Sequence, residues 1–408
     1  MSQAAQATAP ARGSVWEVFR VFLKLGSTSF GGPIAHLGYF RTEFVERRRW
    51  MSDREYADLV ALSQFLPGPA SSQVGFGVGL LRAGGWGAIA AFVAFTLPSA
   101  VLMIAFAAGA SLFDSAVGAG LLTGLKVVAV AIVAQAVWGM ARTLTPDRTR
   151  AGIAVVALVV ALVFAGTIGQ VAAIVVGAVA GLWLCRASGA TAPEDAPDML
   201  RFPVRPAVGV ACLALLGILL VGTPIAVAVT GSGAVALFDA FFRAGALVFG
   251  GGHIVLPLLQ AGVVDPGWVS DAQFLAGYGA AQAVPGPLFT FAGYLGAIAD
   301  VGPGGIPGAL IALVAVFLPG FLLLVGVLPF WNAFRRRAWA QAVMRGANAA
   351  VVGILAAALY SPVFTTAIVD VGTFCLAVVC FVLLVSFKLP PWIAVLVGAA
   401  GGVVLAVV

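Results

Sequence analysis

Charged residues are scarce in this sequence. Lys, Arg, Asp and Glu make up 9% of its 408 residues, whereas 62% of the residues are hydrophobic. A soluble domain carries about 25% charged residues, because its surface faces water. The composition therefore excludes an ordinary soluble protein. Apolar runs of roughly 20 residues, long enough to cross a bilayer, recur along the chain, and we expect an all-α polytopic membrane protein.

Cysteine is also rare, and its spacing matches no metal or redox motif. All four cysteines lie in or at the ends of apolar segments, and we interpret them as buried small hydrophobic residues. They are Cys185, Cys212, Cys375 and Cys380. The sequence likewise offers no cluster of nucleophiles, acids or metal ligands of the kind that an enzyme requires. We therefore expect no cofactor, no metal site and no enzymatic activity.

The first residues lack the apolar core of a secretory signal. Residues 1–14 are small and polar, and we expect them to form a cytoplasmic tail. The net charge of +6 comes largely from basic residues in short loops between apolar segments, which is where orientation signals lie. This placement argues against nucleic acid as a partner and makes the lipid bilayer the expected surroundings.

The chain contains two related halves. A Trp-x-Ser-Asp sequence followed by Gln-x-x-Pro-Gly-Pro occurs twice, with the same order and spacing. The matched residues are Trp50, Ser52, Asp53, Gln64, Pro67, Gly68 and Pro69 in the first half and Trp268, Ser270, Asp271, Gln282, Pro285, Gly286 and Pro287 in the second. Upstream, the segments around Phe22–Gly32 and Phe241–Gly251 also match, with Lys24 opposite Arg243. Shared composition does not produce such an ordered match, so the repeat is real.

The repeat defines the domain organisation. After the tail (1–14) we predict a first repeat (15–186), a linker with one central transmembrane helix (187–232) and a second repeat (233–408). The linker is rich in proline and acidic residues, and no counterpart of the central helix precedes the first repeat. An odd number of crossings then separates the halves and inverts the second one, an arrangement typical of secondary transporters.

The basic loops indicate how the chain crosses the membrane. If all thirteen apolar segments cross, the arginines between Arg41 and Arg54 face away from most other loop Arg and Lys, against the positive-inside rule. Re-entrant hairpins, two in each half, remove this conflict. We predict nine full spans and four such hairpins, with about four transmembrane helices per repeat, a cytoplasmic N-terminus and an external C-terminus. The alternative is that Pro-Gly-Pro only kinks a full crossing.

The breaks in these hairpins define a candidate site. Broken backbone at membrane depth lines a cavity or is buried in protein, and helices starting at Ala70 and Leu288 would point N–H donors at an anion. The predicted substrate-binding residues are Lys24, Gly31, Gly32, Pro33, Gln64, Pro67, Gly68, Pro69, Ser71, Arg243, Gly250, Gly251, Gln282, Pro285, Gly286 and Pro287. Secondary candidates are Lys126, His36 and His253.

Several of these residues have a plainer interpretation. Lys24 and Arg243 either contact an anion or pair along their helices with Glu17 and Asp239. The two histidines either relay protons or are ordinary packed side chains. Hydroxyls beside the breaks either donate to an oxyanion or serve helix packing; they are Ser27, Thr28, Ser29, Ser71, Ser72 and Thr290.

The same motifs resemble a known family. The segments Phe22–Pro33 and Gln64–Ala70 look like the signature of the chromate ion transporter family, and 242–253 with 282–287 are similar to its second domain. The resemblance covers nearly the whole chain and fits the long, two-domain form. It implies an inner-membrane protein that exports chromate, a tetrahedral dianion resembling sulfate, under coupling to the proton gradient, and so confers chromate resistance. One departure is that Pro33 becomes Gly252 in the second half.

Physical arguments alone reach an anion transporter and leave its substrate open. With the cell interior negative, each negative charge that leaves gains about 2.3 kcal/mol per 100 mV, which favours efflux. A sulfate or other inorganic anion transporter, or an anion channel of the same fold, is the alternative. Whether the chain forms a homodimer is left open.

Overall fold

A computed structural model describes residues 13–109, 115–164, 166–185, 202, 204–248, 255–331 and 337–407. Helices make up 85% of the structure, and these residues include no β-strand. The all-α prediction is therefore confirmed.

Among the described residues, seven helices lie in the first half and an eighth follows it. They are α1 (Val15–Thr28), α2 (Gly32–Arg41), α3 (Asp53–Phe65), α4 (Ala70–Ala108), α5 (Ala116–Leu144), α6 (Arg148–Val163), α7 (Gly166–Leu184) and α8 (Pro206–Thr230). A π-helical turn over Thr42–Arg47 extends α2. Helix α4 bends sharply where Ala83 and Gly84 leave helical geometry.

Eight further helices of eight or more residues lie in the described part of the second half. They are α9 (Gly233–Ala246), α10 (Val255–Val263), α11 (Asp271–Ala283), α12 (Phe291–Ile298), α13 (Gly305–Val327), α14 (Ala338–Ala358), α15 (Val371–Val385) and α16 (Pro391–Val407). Short 3-10 turns over Leu288–Thr290 and Leu328–Phe330 adjoin α12 and α13, and a π-helical turn over Leu359–Phe364 follows α14.

The repeated Trp-x-Ser-Asp sequence starts a helix in both halves. The Ser52 hydroxyl accepts from the Glu55 backbone N–H, and the Glu55 carboxylate accepts from the Ser52 N–H. Ser270 and Gln273 form the same reciprocal capping box at the start of α11. Each N-cap contributes roughly 1 kcal/mol. The motif is therefore a helix-start signal that fixes where α3 and α11 begin.

The predicted helix interruptions are present wherever the structure describes them. Helix α1 ends at Thr28 and α2 begins at Gly32. Helix α3 ends at Phe65 and α4 begins at Ala70. The second Pro-Gly-Pro separates α11 from the 3-10 turn that starts at Leu288. The third predicted interruption, at Gly250 and Gly251, lies outside the described residues.

Five helices in the described part are long and apolar enough to cross a membrane: α4, α5, α8, α13 and α14, the last two with their adjoining turns. Shorter apolar helices include α7, α15 and α16. This makes the chain a membrane protein, while the nine spans and four hairpins stay predictions.

The two halves exchange packing partners. Helix α5 packs along α15 and α16 of the second half, and α14 packs along α6 and α7 of the first. Small residues permit these close approaches: a Cβ on Gly124 would lie 2.1 Å from the Gly398 carbonyl oxygen, and one on Gly346 would lie 2.0 Å from that of Gly177. Such backbone proximity is typical of membrane helix pairs, and here it packs helices of one half against helices of the other.

Candidate functional site

Each Pro-Gly-Pro loop binds the helix end of the other half. The N–H of Gly68 donates to the carbonyl of Val248 at 2.7 Å, and the N–H of Gly286 donates to the carbonyl of Ser29 at 2.9 Å. Ser29 follows α1 and Val248 follows α9, and the two positions match in the repeat. We call the place defined by these four residues the crossing.

Glycine is required at the centre of both loops. Gly68 has a φ of +126° and Gly286 a φ of +101°, a range that L-residues rarely adopt. A Cβ on Gly68 would lie 2.9 Å from the Gly320 Cα in α13, and one on Gly286 would lie 2.8 Å from the Ser99 Oγ in α4. Ser99 and Gly320 each directly follow a proline inside their helix. Each loop is therefore seated against the other half with no room for a side chain.

The first interruption also needs glycine. Gly31 and Gly32 have φ values of +102° and +77°, and Pro33 then lies in the first turn of α2, where its missing N–H has no helical acceptor to serve. These three predicted residues therefore shape the backbone between α1 and α2.

His36 connects this interruption to the start of α4. Its buried ring places Nε2 3.2 Å from the Ser29 carbonyl oxygen and Nδ1 3.4 Å from the Ser71 Oγ. A carbonyl oxygen only accepts, so Nε2 carries the hydrogen and Nδ1 accepts from the Ser71 hydroxyl. The Ser29 carbonyl thus accepts from both His36 and Gly286. The structure brings the secondary candidate His36 into contact with the crossing.

Six buried side-chain polar atoms in or next to the interrupted helices have no hydrogen-bond partner among the described residues. They are Ser29 Oγ, Ser63 Oγ, Ser72 Oγ, Gln73 Oε1, Thr96 Oγ1 and Gln282 Nε2. Buried polar groups are nearly always satisfied, so each of these atoms is a point at which water, an ion or a ligand can bind. All six belong to α1, α3, α4 and α11 or to the residue that caps them.

The two repeated glutamines do not share one environment. Gln282 is buried, whereas Gln64 is exposed, so a shared role of the two amides in one site stays a prediction. The residue that sequence reasoning missed is Gln73, whose Nε2 donates to the carbonyls of Pro67 at 3.0 Å and Gly320 at 2.9 Å. Gln73 thereby fastens the first Pro-Gly-Pro loop to α13.

Lys24 and Arg243 differ in their surroundings. The suggested pair of Lys24 with Glu17 is wrong: Glu17 instead binds Arg82 at 3.2 Å and Arg48 at 3.8 Å, and Lys24 is exposed. Arg243 does pair with Asp239, at 2.8 Å. The structure therefore supports helical pairing only in the second half.

Arg243 also fastens α9 to the central helix α8. Its Nη2 donates to the Leu220 carbonyl at 3.2 Å, which is free because Pro224, four residues later, has no N–H. The hydroxyl of Thr223 donates to Asp239. Asp239 and Arg243 line one side of a half-open cavity of about 250 Å³ whose other walls are mostly apolar. Asp239 and the Leu220 carbonyl thus hold Arg243, which joins α9 to α8. We call this contact the clamp.

The remaining candidates are not brought to the crossing by any described contact. Lys126 is partly buried on α5, next to Leu125, whose carbonyl faces Gly279 on α11. Gly250, Gly251 and His253 lie outside the described residues. Thr290 uses its hydroxyl within its own turn, donating to the Pro287 carbonyl at 2.8 Å. Within the described residues, three or more His, Cys, Asp or Glu side chains never meet as a metal site.

Charged side chains gather at the start of α1, the turn after α2 and the bend in α4. Glu43 is buried and binds Arg48 at 2.6 Å and Arg47 at 3.3 Å. Burial alone would raise the pKa of the Glu43 carboxyl, but Arg48, Arg47 and Lys24 together hold that pKa below its usual value. Arg48 and Arg82 both lie over the Trp50 ring. We call this group the charged end.

A known family matches both halves of the chain. The model of the family described as "Chromate transporter" matches residues 16–182 and 235–403. A probable chromate transport protein of Synechococcus elongatus is 29% identical over 399 residues, which is 96% of this chain and 95% of that protein. Chromate transport proteins of Cupriavidus metallidurans and Pseudomonas aeruginosa are each 29% identical, over 90% and 84% of this chain and 87% and 79% of their own lengths.

No solved structure matches the chain. The family model nevertheless covers most of both halves, and the relatives align over most of their own lengths. The chain belongs to the chromate transporter family.

Proposed function

We propose that this chain is a secondary transporter that exports chromate across the inner membrane, coupled to the proton gradient, and so confers chromate resistance. The observation that carries the proposal is the crossing, where interrupted helices of both halves meet beside buried polar atoms that have no partner among the described residues. Family membership makes an oxyanion the substrate. A transporter needs such a place, because its substrate leaves water and must find replacement hydrogen bonds inside the membrane.

Contacts at helix ends support hairpins that enter and return. Glu17 at the start of α1 contacts Arg48, which follows α2, and Arg82, which precedes the bend in α4. In the first half, the chain therefore leaves the charged end and returns to it twice, once through α1 and α2 and once through α3 and the first part of α4. In the second half the Asp300 N–H donates to the Trp268 carbonyl, which joins the corresponding positions.

Helix α8 supports the inversion of the second half. Phe202, which precedes α8, packs against the cluster that contains Phe44 and Trp50, so α8 starts near the charged end. It has 25 residues and a length of about 37 Å, and α9 begins directly after it. The second half then starts at the opposite end from the first. Inverted halves that meet at a central site are the arrangement on which alternating access depends.

The crossing has the chemistry of an oxyanion site. Hydroxyls donate to oxyanions, and α4 starts directly after Pro69 with backbone N–H groups that no residue of its own first turn can accept. A dianion gains about 4.6 kcal/mol per 100 mV on leaving a negative interior. The membrane potential therefore drives export, and the proton gradient adds to it when a proton enters for each anion.

The test is the flux of radiolabelled chromate in proteoliposomes. We expect saturable uptake into vesicles, competed by sulfate with a higher half-saturation concentration, and a response to both an imposed potential and an imposed pH gradient. Protein-free vesicles give the background. Chromate and sulfate fluxes at background would contradict the proposal. Fast flux that does not saturate would favour an anion channel, and a preference for sulfate would reassign the substrate.

A further inference from the structure

The polar atoms at the crossing are distributed unequally between the halves. Three positions at and after the first Pro-Gly-Pro loop are polar where their counterparts in the second half are aromatic: Ser71 against Phe289, Gln73 against Phe291 and Thr96 against Phe317. Four more polar residues of the first half align in the repeat with small or apolar residues: Ser29 with Val248, His36 with Val255, Ser63 with Ala281 and Ser99 with Gly320.

Starting from the proposed function, on which this inference rests, we propose that the first half alone provides the side-chain hydroxyl donors for the oxyanion. Ser72 and Thr96 on α4 are the specificity-determining residues, with Ser29 beside them. Apart from the Gln282 amide, the second half contributes aromatic side chains, backbone and packing. The substrate site is thus asymmetric although the fold is repeated.

Contacts join His36, Ser29 and Ser71, and helical spacing puts Ser72 and Thr96 on a common side of α4. His36 touches Ser29 and Ser71, and its ring stands edge-on to Phe95, with ring centres 5.3 Å apart. Ser72 lies one turn before Phe76 and Thr96 one turn after Phe92, and both of these rings contact Phe321 of α13, with ring centres 4.4 and 4.9 Å apart. Gly286 of the second half closes the group, because its N–H reaches the Ser29 carbonyl.

The hydroxyls in this group are available to a ligand. Ser29, Ser72 and Thr96 are 1%, 4% and 5% exposed, and their hydroxyl oxygens have no partner within the described part of the chain. A Ser or Thr in a helix commonly bonds to a carbonyl of the preceding turn, which Ser72 and Thr96 do not. Their hydroxyl protons are therefore free to donate to the oxygens of a bound anion.

The equivalent region of the second half is filled. Phe289 packs on Phe317 with ring centres 5.6 Å apart, and Phe291 packs on Phe274 at 5.1 Å and on Tyr278 at 5.8 Å. Thr290, the counterpart of Ser72, already donates within its own turn. Aromatic side chains fill the volume that hydroxyls and an anion would otherwise occupy.

The experiment compares matched variants in chromate flux and chromate binding. Thr96→Val keeps the shape of the side chain and removes its hydroxyl, and Ser72→Ala removes the second one. We expect each to raise the half-saturation concentration for chromate by about tenfold or more, since a hydrogen bond to a charged group is lost. Thr290→Val is the control from the second half, with the wild-type half-saturation concentration expected.

Gel filtration and the melting temperature in detergent show that each variant is folded. The rise in melting temperature that chromate causes gives a second measure of binding, independent of flux. Wild-type affinity in both Thr96→Val and Ser72→Ala, or a weakening as large in Thr290→Val, would overturn the asymmetric site. Chromate flux by the wild-type protein in the same assay separates failure of the asymmetric site from failure of the proposed function. If the proposed function fails, the wild type itself does not transport chromate.

Discussion

A single methyl group at Gly68 tests whether the halves meet as described. Gly68 has a φ of +126°, and a Cβ there would lie 2.9 Å from both the Gly320 Cα and the Gln73 amide nitrogen. The Gly320 Cα belongs to the backbone of α13, which cannot move aside as a flexible side chain does. Gly68→Ala therefore imposes backbone strain and overpacking together.

The expected cost follows from these two effects. A non-glycine residue in a sparsely populated φ region costs about 1–3 kcal/mol, and overpacking in a close-packed interior adds about 1–3 kcal/mol. We expect Gly68→Ala to lower the free energy of unfolding by about 2–6 kcal/mol. Gly286→Ala is expected to cost less, because its nearest neighbour is the Ser99 side chain, which can rotate.

Two other glycines separate strain from crowding. Gly84 has a φ of +68° and a ψ of −159°, a region that essentially only glycine adopts, with open space around its Cβ position, so alanine there adds strain alone, about 1–3 kcal/mol. Gly38 lies within α2, also with open space, and alanine there is neutral or stabilises the helix by up to about 1 kcal/mol.

The assay is the melting temperature of each purified variant in one detergent, with gel filtration to confirm a single species. The expected order of stability is Gly38→Ala, then Gly84→Ala, then Gly286→Ala, then Gly68→Ala. Equal melting temperatures for Gly68→Ala and Gly38→Ala would show that the loop is not seated against α13.

Three further predictions concern other parts of the fold. Arg243→Ala is expected to lower the free energy of unfolding by about 1–3 kcal/mol and to leave the half-saturation concentration for chromate unchanged. A double-mutant cycle with Asp239→Ala measures the coupling between the two side chains. A changed affinity for chromate at full stability would contradict the clamp. Glu43→Gln is expected to cost about 1–2 kcal/mol at pH 7. Because the folded pKa is lowered, this contribution is complete above the unfolded pKa of about 4.3 and disappears as the pH falls through the folded pKa, so melting curves of the two proteins should converge in acid. Gly346→Val should disrupt packing against Gly177 and cost about 1–3 kcal/mol, and an unaltered melting temperature would argue against the exchange of partners between halves.

The sequence predicts the features that depend on local signals. Gly-Gly-Pro and Pro-Gly-Pro combine glycines of positive φ with proline, so the ends of α1 and α3 are predictable from residues alone, whereas the single prolines Pro98 and Pro319 lie inside helices. The pair of Asp239 and Arg243 has helical spacing and is also local. Repetition of the motifs strengthens each of these predictions, because two independent segments carry the same signal.

Contacts between distant segments leave no such local signal. The bond from Gly68 to Val248 joins two segments far apart in the chain, and spacing alone does not reveal it. Gln73 was missed because its repeat counterpart is Phe291, so a search for matched polar residues passes over it. Glu17 forms an ion pair with Arg82 rather than with Lys24, because α4 returns to the start of α1. The bond from Arg243 to α8 had a signal, since Pro224 frees a carbonyl that needs a donor.

The most direct test of the central claim is to locate the bound anion. Crystals or lipid nanodiscs of the protein with chromate would reveal the chromium atom, by anomalous scattering or as a strong density peak. We expect it at the crossing, within hydrogen-bond distance of the Ser72 and Thr96 hydroxyls. Chromium bound in the cavity beside Arg243, with an empty crossing, would contradict the account.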